Sequence, residues 1–489
     1  MKYSSTRNHG ISIESAKAIA NGLAADGGLY LPNEIPALSK QDFEYLKGCD
    51  YKTRAKEILG RFLTDFTNEE LEYCCSGAYM GSFDNDNPAP VKKLDSNLSV
   101  LELWHGPTCA FKDLALQILP YLMTVSVKKC GSSDKTVILV ATSGDTGKAA
   151  LEGFCDVEGT AIMVFYPTDG VSNMQKKQMS TQSGDNVNVC AIKGNFDDAQ
   201  SGVKQIFGDS KCAEILKQNG CAFSSANSIN WGRLAPQIVY YVSAYLDMGC
   251  PAQMNVVVPT GNFGNILAAY YAKEMGVPIK KLICASNSNK VLTDFINTGI
   301  YDKNREFFTT VSPSMDILIS SNLERLLYLL SGDDTLVASL MQQLKTSGKY
   351  TVPDEVYKKL QQSFYGDYCT EEDTLKTIKA IFDKYGYLID THTAVAMAVA
   401  QRYATRCDGT TPTLVVSTAS PYKFSPAVSK ALGIDLGYDE FETVENLEKA
   451  TGTTAPQPIK ELRNKEVRFN RVANKEDMRD EVLRFLGIK

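Results

Sequence analysis

The sequence predicts an α/β protein: two domains containing parallel sheets with helices on both faces, plus a mainly helical N-terminal region. Three observations carry this. Short apolar runs alternate with amphipathic ones from residue 98 onward. Glycine-bearing loops stand between such a run and the next amphipathic stretch at 143–147 and 261–265. The chain is also long enough, at 489 residues, for two or three domains of ordinary size. Alternating strands and helices close into parallel sheets, because a parallel pair needs a long crossover and a helix supplies it. Sites in such sheets collect at the carboxyl ends of the strands.

Residues 1–95 form the N-terminal region. A helix is predicted over 11–20, closed by the turn Asp26, Gly27 and Gly28 before the apolar Leu29, Tyr30, Leu31 and Pro32. Further helical patterns occupy 40–48, 51–63 and 67–78, and the Asp/Asn/Pro-rich 84–90 is the best linker candidate. One sheet-containing domain is placed at 96–250 and the other at 251–489. Strands are predicted at 137–141, 161–165, 187–192, 255–259, 282–285 and 413–417, each an apolar run bounded by loop residues. Helices are predicted at 148–155, 234–248 and 266–275; Leu234, Ile238, Val242 and Tyr245 mark one face of the second. Pro120 lacks an N–H and crowds the preceding turn, so a helix begun at Lys112 ends or kinks there. Residues 315–405 read as a large helical insert, and 438–489 as charged and helical.

Composition bounds the function. Apolar residues at 44% and charged ones at 22% allow a sizeable core under an ordinary polar surface. A net charge of −6, with basic residues scattered, argues against a nucleic-acid or anionic-membrane partner. The 13 cysteines are irregularly spaced and form no C-x-x-C, which reads as free thiols in a reducing cytosol. Only His9, His105 and His392 are present, so a structural zinc site is not expected. No apolar run reaches membrane-spanning length and residues 1–10 lack a signal-like apolar centre, so a cytoplasmic protein is expected.

The stretch 103–117 turns through His105, Gly106, Pro107 and Thr108, then enters a helical pattern at Ala110, Phe111, Lys112 and Asp113. Lys112 falls in the first turn, where free N–H groups and the positive end of the dipole oppose an ammonium. Apolar Phe111 and Leu114 lower its pKa further, as a Schiff-base nucleophile requires at neutral pH. An arbitrary lysine would read as a solvated surface residue; the loops downstream decide for chemistry. In Ser143, Gly144, Asp145, Thr146, Gly147 and in Gly261, Asn262, Phe263, Gly264, Asn265, glycine lets successive N–H groups converge on an anion. Either loop alone fits a tight βα turn equally well. Neither matches G-x-G-x-x-G, and Gly147-Lys148 continues with Ala149, so a dinucleotide fold and a P-loop lack support. In the third candidate, 225–233, Asn227, Ser228 and Asn230 offer short donors and Arg233 a rigid fork for phosphate or carboxylate. The alternative is an Asx-rich helix cap beside an exposed arginine. His105 and His392 are possible acid–base groups, although Asp390-Thr-His-Thr-Ala fits a helix start.

Taken in order, 105–113, 142–147, Asn227 to Asn230 with Arg233, 259–265 and 390–396 resemble threonine synthases. The likeness is to the longer bacterial and fungal type, within the pyridoxal-phosphate enzymes of fold type II, shaped like the tryptophan synthase β subunit. It extends over about residues 1–430, with Tyr3 to Arg7 and Leu23 to Pro32 agreeing in the leader. The resemblance implies pyridoxal 5′-phosphate as cofactor, in a Schiff base with Lys112. It implies cofactor contacts from Asp145, Gly261, Asn262, Phe263, Gly264, Asn265 and Thr418. Substrate would be held by Thr142, Ser143, Gly144 and Thr146 at its carboxylate and by Asn227, Ser228 and Arg233 at its phosphate. The implied reaction turns O-phospho-L-homoserine and water into L-threonine and phosphate, in a monomer or homodimer. An O-phosphohomoserine phospholyase giving 2-oxobutyrate, or a non-catalytic binding homologue, is the alternative. Two positions depart from the pattern: shorter relatives carry asparagine at Asp145, and many longer ones histidine at Ser420.

Overall fold

The computed structural model describes residues 1–142, 144–169 and 171–488. Its larger sheet has six strands in the order Phe364–Tyr368, Ile279–Ser286, Met254–Pro259, Thr413–Ser417, Leu98–Glu102 and Val91–Lys93. All pair in parallel except Val91–Lys93, which runs antiparallel at one edge. The second sheet has five strands, all parallel, in the order Val472–Ala473, Val187–Ile192, Thr160–Pro167, Lys135–Ala141 and Cys221–Ser224. Met254–Pro259 is buried along its whole length. A strand covered on both faces favours apolar side chains along its length, so no alternation shows in it, and Asn255 is its one buried polar residue.

The N-terminal region is mainly helical, with Lys40–Lys47, Tyr51–Phe62 and Asn68–Tyr79 close to their predicted places. It also holds a three-stranded antiparallel sheet, Asn8–Ile13, Tyr3–Ser5 and Tyr30–Pro32, which the helical reading lacks. The predicted helix over 11–20 is therefore corrected: Ile11 and Ile13 share a strand with period two, and the helix is Ser15–Asn21. The region packs on Trp231–Asp247, a helix buried on nearly every side. Trp231 meets Tyr3, Phe62 and Tyr271 edge-on at 5.5, 5.7 and 5.4 Å between ring centroids.

Two other expectations change. The insert at 315–405 is not wholly helical, because Phe364–Tyr368 forms an edge strand of the larger sheet and Lys349–Thr351 pairs with Ile300–Asp302. Sheet membership also crosses the boundary at 250/251: Leu98–Glu102 lies in the sheet of Met254–Pro259, and Val472–Ala473 in the sheet of Lys135–Ala141. The helix break at Pro120 is as expected. Asp113–Leu116 ends first, and Leu119–Lys129 begins with Pro120 in its opening turn, where the missing N–H costs nothing.

A glycine without a side chain lets two of these helices touch. The helix Asp145–Phe154 lies directly on Asp113–Leu116, and a Cβ on Gly153 would stand 2.0 Å from the Leu116 carbonyl oxygen. Gly153→Ala is therefore expected to push the two helices apart and destabilise the fold by about 1–3 kcal/mol. Gly208→Ala, at a helical position with nothing within 4 Å of the added carbon, is the control. Urea unfolding of both variants checks the difference.

Candidate active site

The carboxyl ends of Lys135–Ala141, Met254–Pro259 and Thr413–Ser417 run straight into the loops singled out in the sequence. Lys112 is held at the N-cap of Asp113–Leu116. Its segment is stitched to the loop after Thr413–Ser417: Phe111 N–H donates to Thr418 O at 2.8 Å, and Ser420 N–H to Cys109 O at 3.0 Å. Lys112 Nζ lies 3.8 Å from Asp145 Oδ2 and 4.9 Å from the centre of the Phe111 ring. Burial lowers the Lys112 pKa, with Lys423 and Arg233 adding to the effect and Asp145 opposing it. The direction is the expected one; the leading cause is burial.

Asp145 opens its helix with both oxygens facing cations. Its Oδ1 accepts from Lys423 Nζ at 2.8 Å, and Lys423 also donates to Thr108 O at 2.9 Å. Burial pushes this carboxyl up, but the Lys423 and Lys112 ammoniums override it and hold Asp145 well below the usual carboxylate range. Gln175 Nε2 reaches the same Oδ1 at 3.4 Å. The Thr142 hydroxyl serves its own turn, accepting from the N–H groups of Gly144 and Gly147 at 3.0 Å each. Thr146 is half-buried; Ser143 lies outside the described residues.

The loop after Met254–Pro259 makes a turn that most residues resist. Phe263 sits at φ 64°, in the left-handed region, and caps the helix Gly264–Glu274. The N–H groups of Gly261, Asn262, Phe263, Gly264 and Asn265 donate to no backbone acceptor among the described residues. Asn265 Oδ1 accepts from the Tyr240 and Tyr241 hydroxyls at 2.6 Å each, and its buried Nδ2 has no partner among the described residues. A Cβ on Gly261 would stand 2.5 Å from Ser314 O.

Arg233 is buried, which excludes the exposed-arginine alternative, whereas the cap half of that reading holds: Asn230 Oδ1 accepts from Gly232 N–H at 2.9 Å. The arginine donates through Nη1 to Ala226 O at 2.6 Å, its Nε has no partner among the described residues, and burial brings it down to about 10. Asn227 is exposed and accepts from the Ser228 hydroxyl at 3.2 Å.

Three residues that the sequence reading passed over tie these loops together. Asn322 Nδ2 donates to Asn262 O at 3.1 Å and to Ser228 O at 3.3 Å, joining two anion-type loops. Arg325, wholly buried, donates to Asn322 Oδ1 at 2.5 Å, Ile229 O at 2.5 Å and Tyr30 O at 2.9 Å. Glu324 is taken by Arg7, at 2.8 Å for both nitrogens, so Arg325 has no carboxylate partner among the described residues. Lys423 is the third. Its only sequence signal is its place in the loop after Thr413–Ser417. His392 starts the helix Thr391–Arg406 as expected, with Nδ1 2.9 Å from Asp390 Oδ1, and its Nε2 accepts from Ser314 N–H at 3.2 Å. His105 is held between Asp84 and Glu102, at 2.8 and 2.9 Å, and neither belongs to these loops.

Family models match almost the whole chain: the threonine synthase N terminus over residues 2–79, the pyridoxal-phosphate dependent enzymes over 87–419 and the threonine synthase C-terminal region over 393–482. Threonine synthase of Pseudomonas aeruginosa is 39% identical over 434 residues, covering 88% of this chain and 90% of that protein. The chain belongs to the threonine synthase family. The family's cofactor is pyridoxal phosphate, and its members are lyases that depend on it. Human threonine synthase-like 1 is 44% identical over 438 residues, 86% of this chain; the match spans only 58% of that longer protein. Among solved structures, the pyridoxal-phosphate-bound threonine synthase of Brucella melitensis superposes with a TM-score of 0.90 at 38% identity, covering 99% of both chains. Yeast threonine synthase gives the same TM-score at 32% identity and the same coverage.

Asp113 offers a test of the packing beneath this candidate site. Burial raises its carboxyl to about 6, against two hydrogen bonds from Thr108, at 2.8 Å from N–H and 2.6 Å from the hydroxyl. The folded value exceeds the unfolded one, so the native state binds the extra proton. This group's contribution is complete below about pH 4 and is lost as the pH climbs through about 6. Stability measured by urea unfolding should fall over that window more steeply in the wild type than in Asp113→Asn.

Proposed function

We propose that this chain converts O-phospho-L-homoserine and water to L-threonine and phosphate, using pyridoxal phosphate bound through Lys112. The observation that carries the reading is the pairing of two unlike halves. One is a buried amine beside a carboxylate; the other is a cluster of N–H groups without a backbone acceptor and a buried guanidinium without an acid, among the described residues. The first suits a carbonyl group to be captured, and the second suits a phosphate. The donor set therefore fits the cofactor. Lys112 would hold its aldehyde carbon and the 261–265 turn its phosphate. Asp145 would lie toward its ring oxygen and the Thr418 hydroxyl toward its ring nitrogen.

When bound, pyridoxal phosphate supplies an electron sink that acidifies the carbon–hydrogen bonds of an amino acid joined to it. The chain's residues do the rest. Lys112, released when substrate takes its place, has its proton affinity lowered by burial and serves as the base at Cα, later returning protons. The 142–146 loop would hold the substrate carboxylate. Arg233, with Ser228 and Asn227, grips the substrate phosphate and stabilises its growing charge as it leaves Cγ. Water is admitted only for the addition at Cβ, and the buried setting of Lys112 and Asp145 keeps it out before that step.

The competing outcome is release of 2-oxobutyrate, because a phospholyase needs the same lysine and the same phosphate grip. Incubating the protein with O-phosphohomoserine and measuring threonine, 2-oxobutyrate and phosphate separates the two. Threonine in step with phosphate is expected; 2-oxobutyrate in its place selects the phospholyase. A colourless protein that takes up no pyridoxal phosphate sinks both. Lys112→Ala should lose cofactor attachment and turnover, and Arg233→Ala should lower kcat/KM roughly 100- to 1000-fold.

A further inference from the structure

We infer that Lys423 is a positioning residue: it holds Asp145 away from Lys112, so that the amine can lose its proton. The inference rests on the reading of Lys112 as the cofactor-bearing residue. It starts from a conflict in the geometry. A carboxylate 3.8 Å from an amine, both out of water, favours the ammonium, which is not nucleophilic. An Asp145 facing Lys112 alone would work against the chemistry expected of the lysine.

The contacts resolve it. Lys423 Nζ takes Asp145 Oδ1 at 2.8 Å, a full ångström closer than Lys112 approaches the other oxygen. The Lys423 side chain is 2% exposed, and its second acceptor, Thr108 O, lies at the start of the Lys112 segment. Lys423 itself comes from the loop after Thr413–Ser417, whose Thr418 O accepts from Phe111 N–H. The acid is thus claimed by a cation fixed at both ends. No other carboxylate lies within ion-pair distance of Lys423 among the described residues. The remaining charged or titratable groups facing the pair are Asp113, Cys109, His392 and Arg233. Of these, Asp113 is the only other acid, and it is bound to Thr108.

The test uses the holoenzyme and two readouts besides turnover: the pH midpoint of the cofactor's visible band, and borohydride trapping followed by peptide mapping. In Lys423→Met the midpoint is expected to rise by roughly one unit or more, because Asp145 turns its whole charge on the lysine nitrogen. Lys423→Arg, which keeps the charge, should titrate as the wild type. In an Asp145→Asn background the same Lys423→Met change should move the midpoint by less than half as much. An equal shift in both backgrounds would mean that Lys423 acts on Lys112 directly, and no shift in either would mean that it does not act at all; both overturn the inference. Should Lys423→Met alone fail to fold with a bare buried acid, Lys423→Arg and the Asp145→Asn pair still decide. A midpoint that moves in Lys423→Arg, or as much in that pair as roughly one unit, also overturns it. Trapping that tags a lysine other than Lys112 in the wild type defeats the underlying reading instead, and is seen before any variant is made.

Discussion

Two ammoniums and one carboxylate occupy a space that water barely reaches, and the arrangement of the loops around them reflects the need to keep those charges paired. Removing ions from water is expensive unless geometry repays it, and losing one partner leaves the other stranded. Several distant pieces of chain serve that geometry. The bare Gly153 lets the helix that begins with Asp145 lie on the segment of Lys112. Thr108 anchors Asp113 on one side and receives Lys423 on the other. The strand Thr413–Ser417 delivers Lys423 from the other end of the sequence to a point beside residue 110, where Ala110 and Ala419 form an isolated bridge.

The opposite wall of the site has the contrary character. Arg233 and Arg325 are buried without acidic partners among the described residues, and the N–H groups of the 261–265 turn find no backbone acceptor among them. One end of the cleft is balanced internally, while the other carries positive potential waiting for an external anion. A substrate and cofactor that each bear a phosphate would meet this asymmetry in a single orientation, because a phosphate turned toward Asp145 would face a carboxylate.

How much of this could be read from the chain alone depends on the range of the interactions involved. Strands such as Met254–Pro259 and Val187–Ile192 are buried on both faces, so a run that is apolar but for one asparagine announces each. Leu98–Glu102 and Cys221–Ser224 mix in serine and end in polar residues, and Phe364–Tyr368 carries Gly366 and Asp367 at a sheet edge; local pattern does not separate these from loops. The site divides in the same way. Lys112, Asp145, the 261–265 turn and Arg233 lie in short stretches whose glycines, asparagines and turn residues mark them. Lys423, Asn322 and Arg325 matter through partners that mostly lie far off in sequence, from 60 residues for Asn322 to 315 for Lys423, and Arg325 reads locally as an ordinary arginine on an amphipathic helix.

Arg325 has a consequence for how the chain can be recombined. Its guanidinium spans the leader at Tyr30, the loop at Ile229 and the residue that braces Asn262, so three segments far apart in sequence share one buried fork. A chimera that takes its first eighty residues from another member of the family inherits a foreign edge for that fork. Exchange of the leader is therefore not modular: the segments around 229, 262 and 322 have to travel with it, as a single inherited unit.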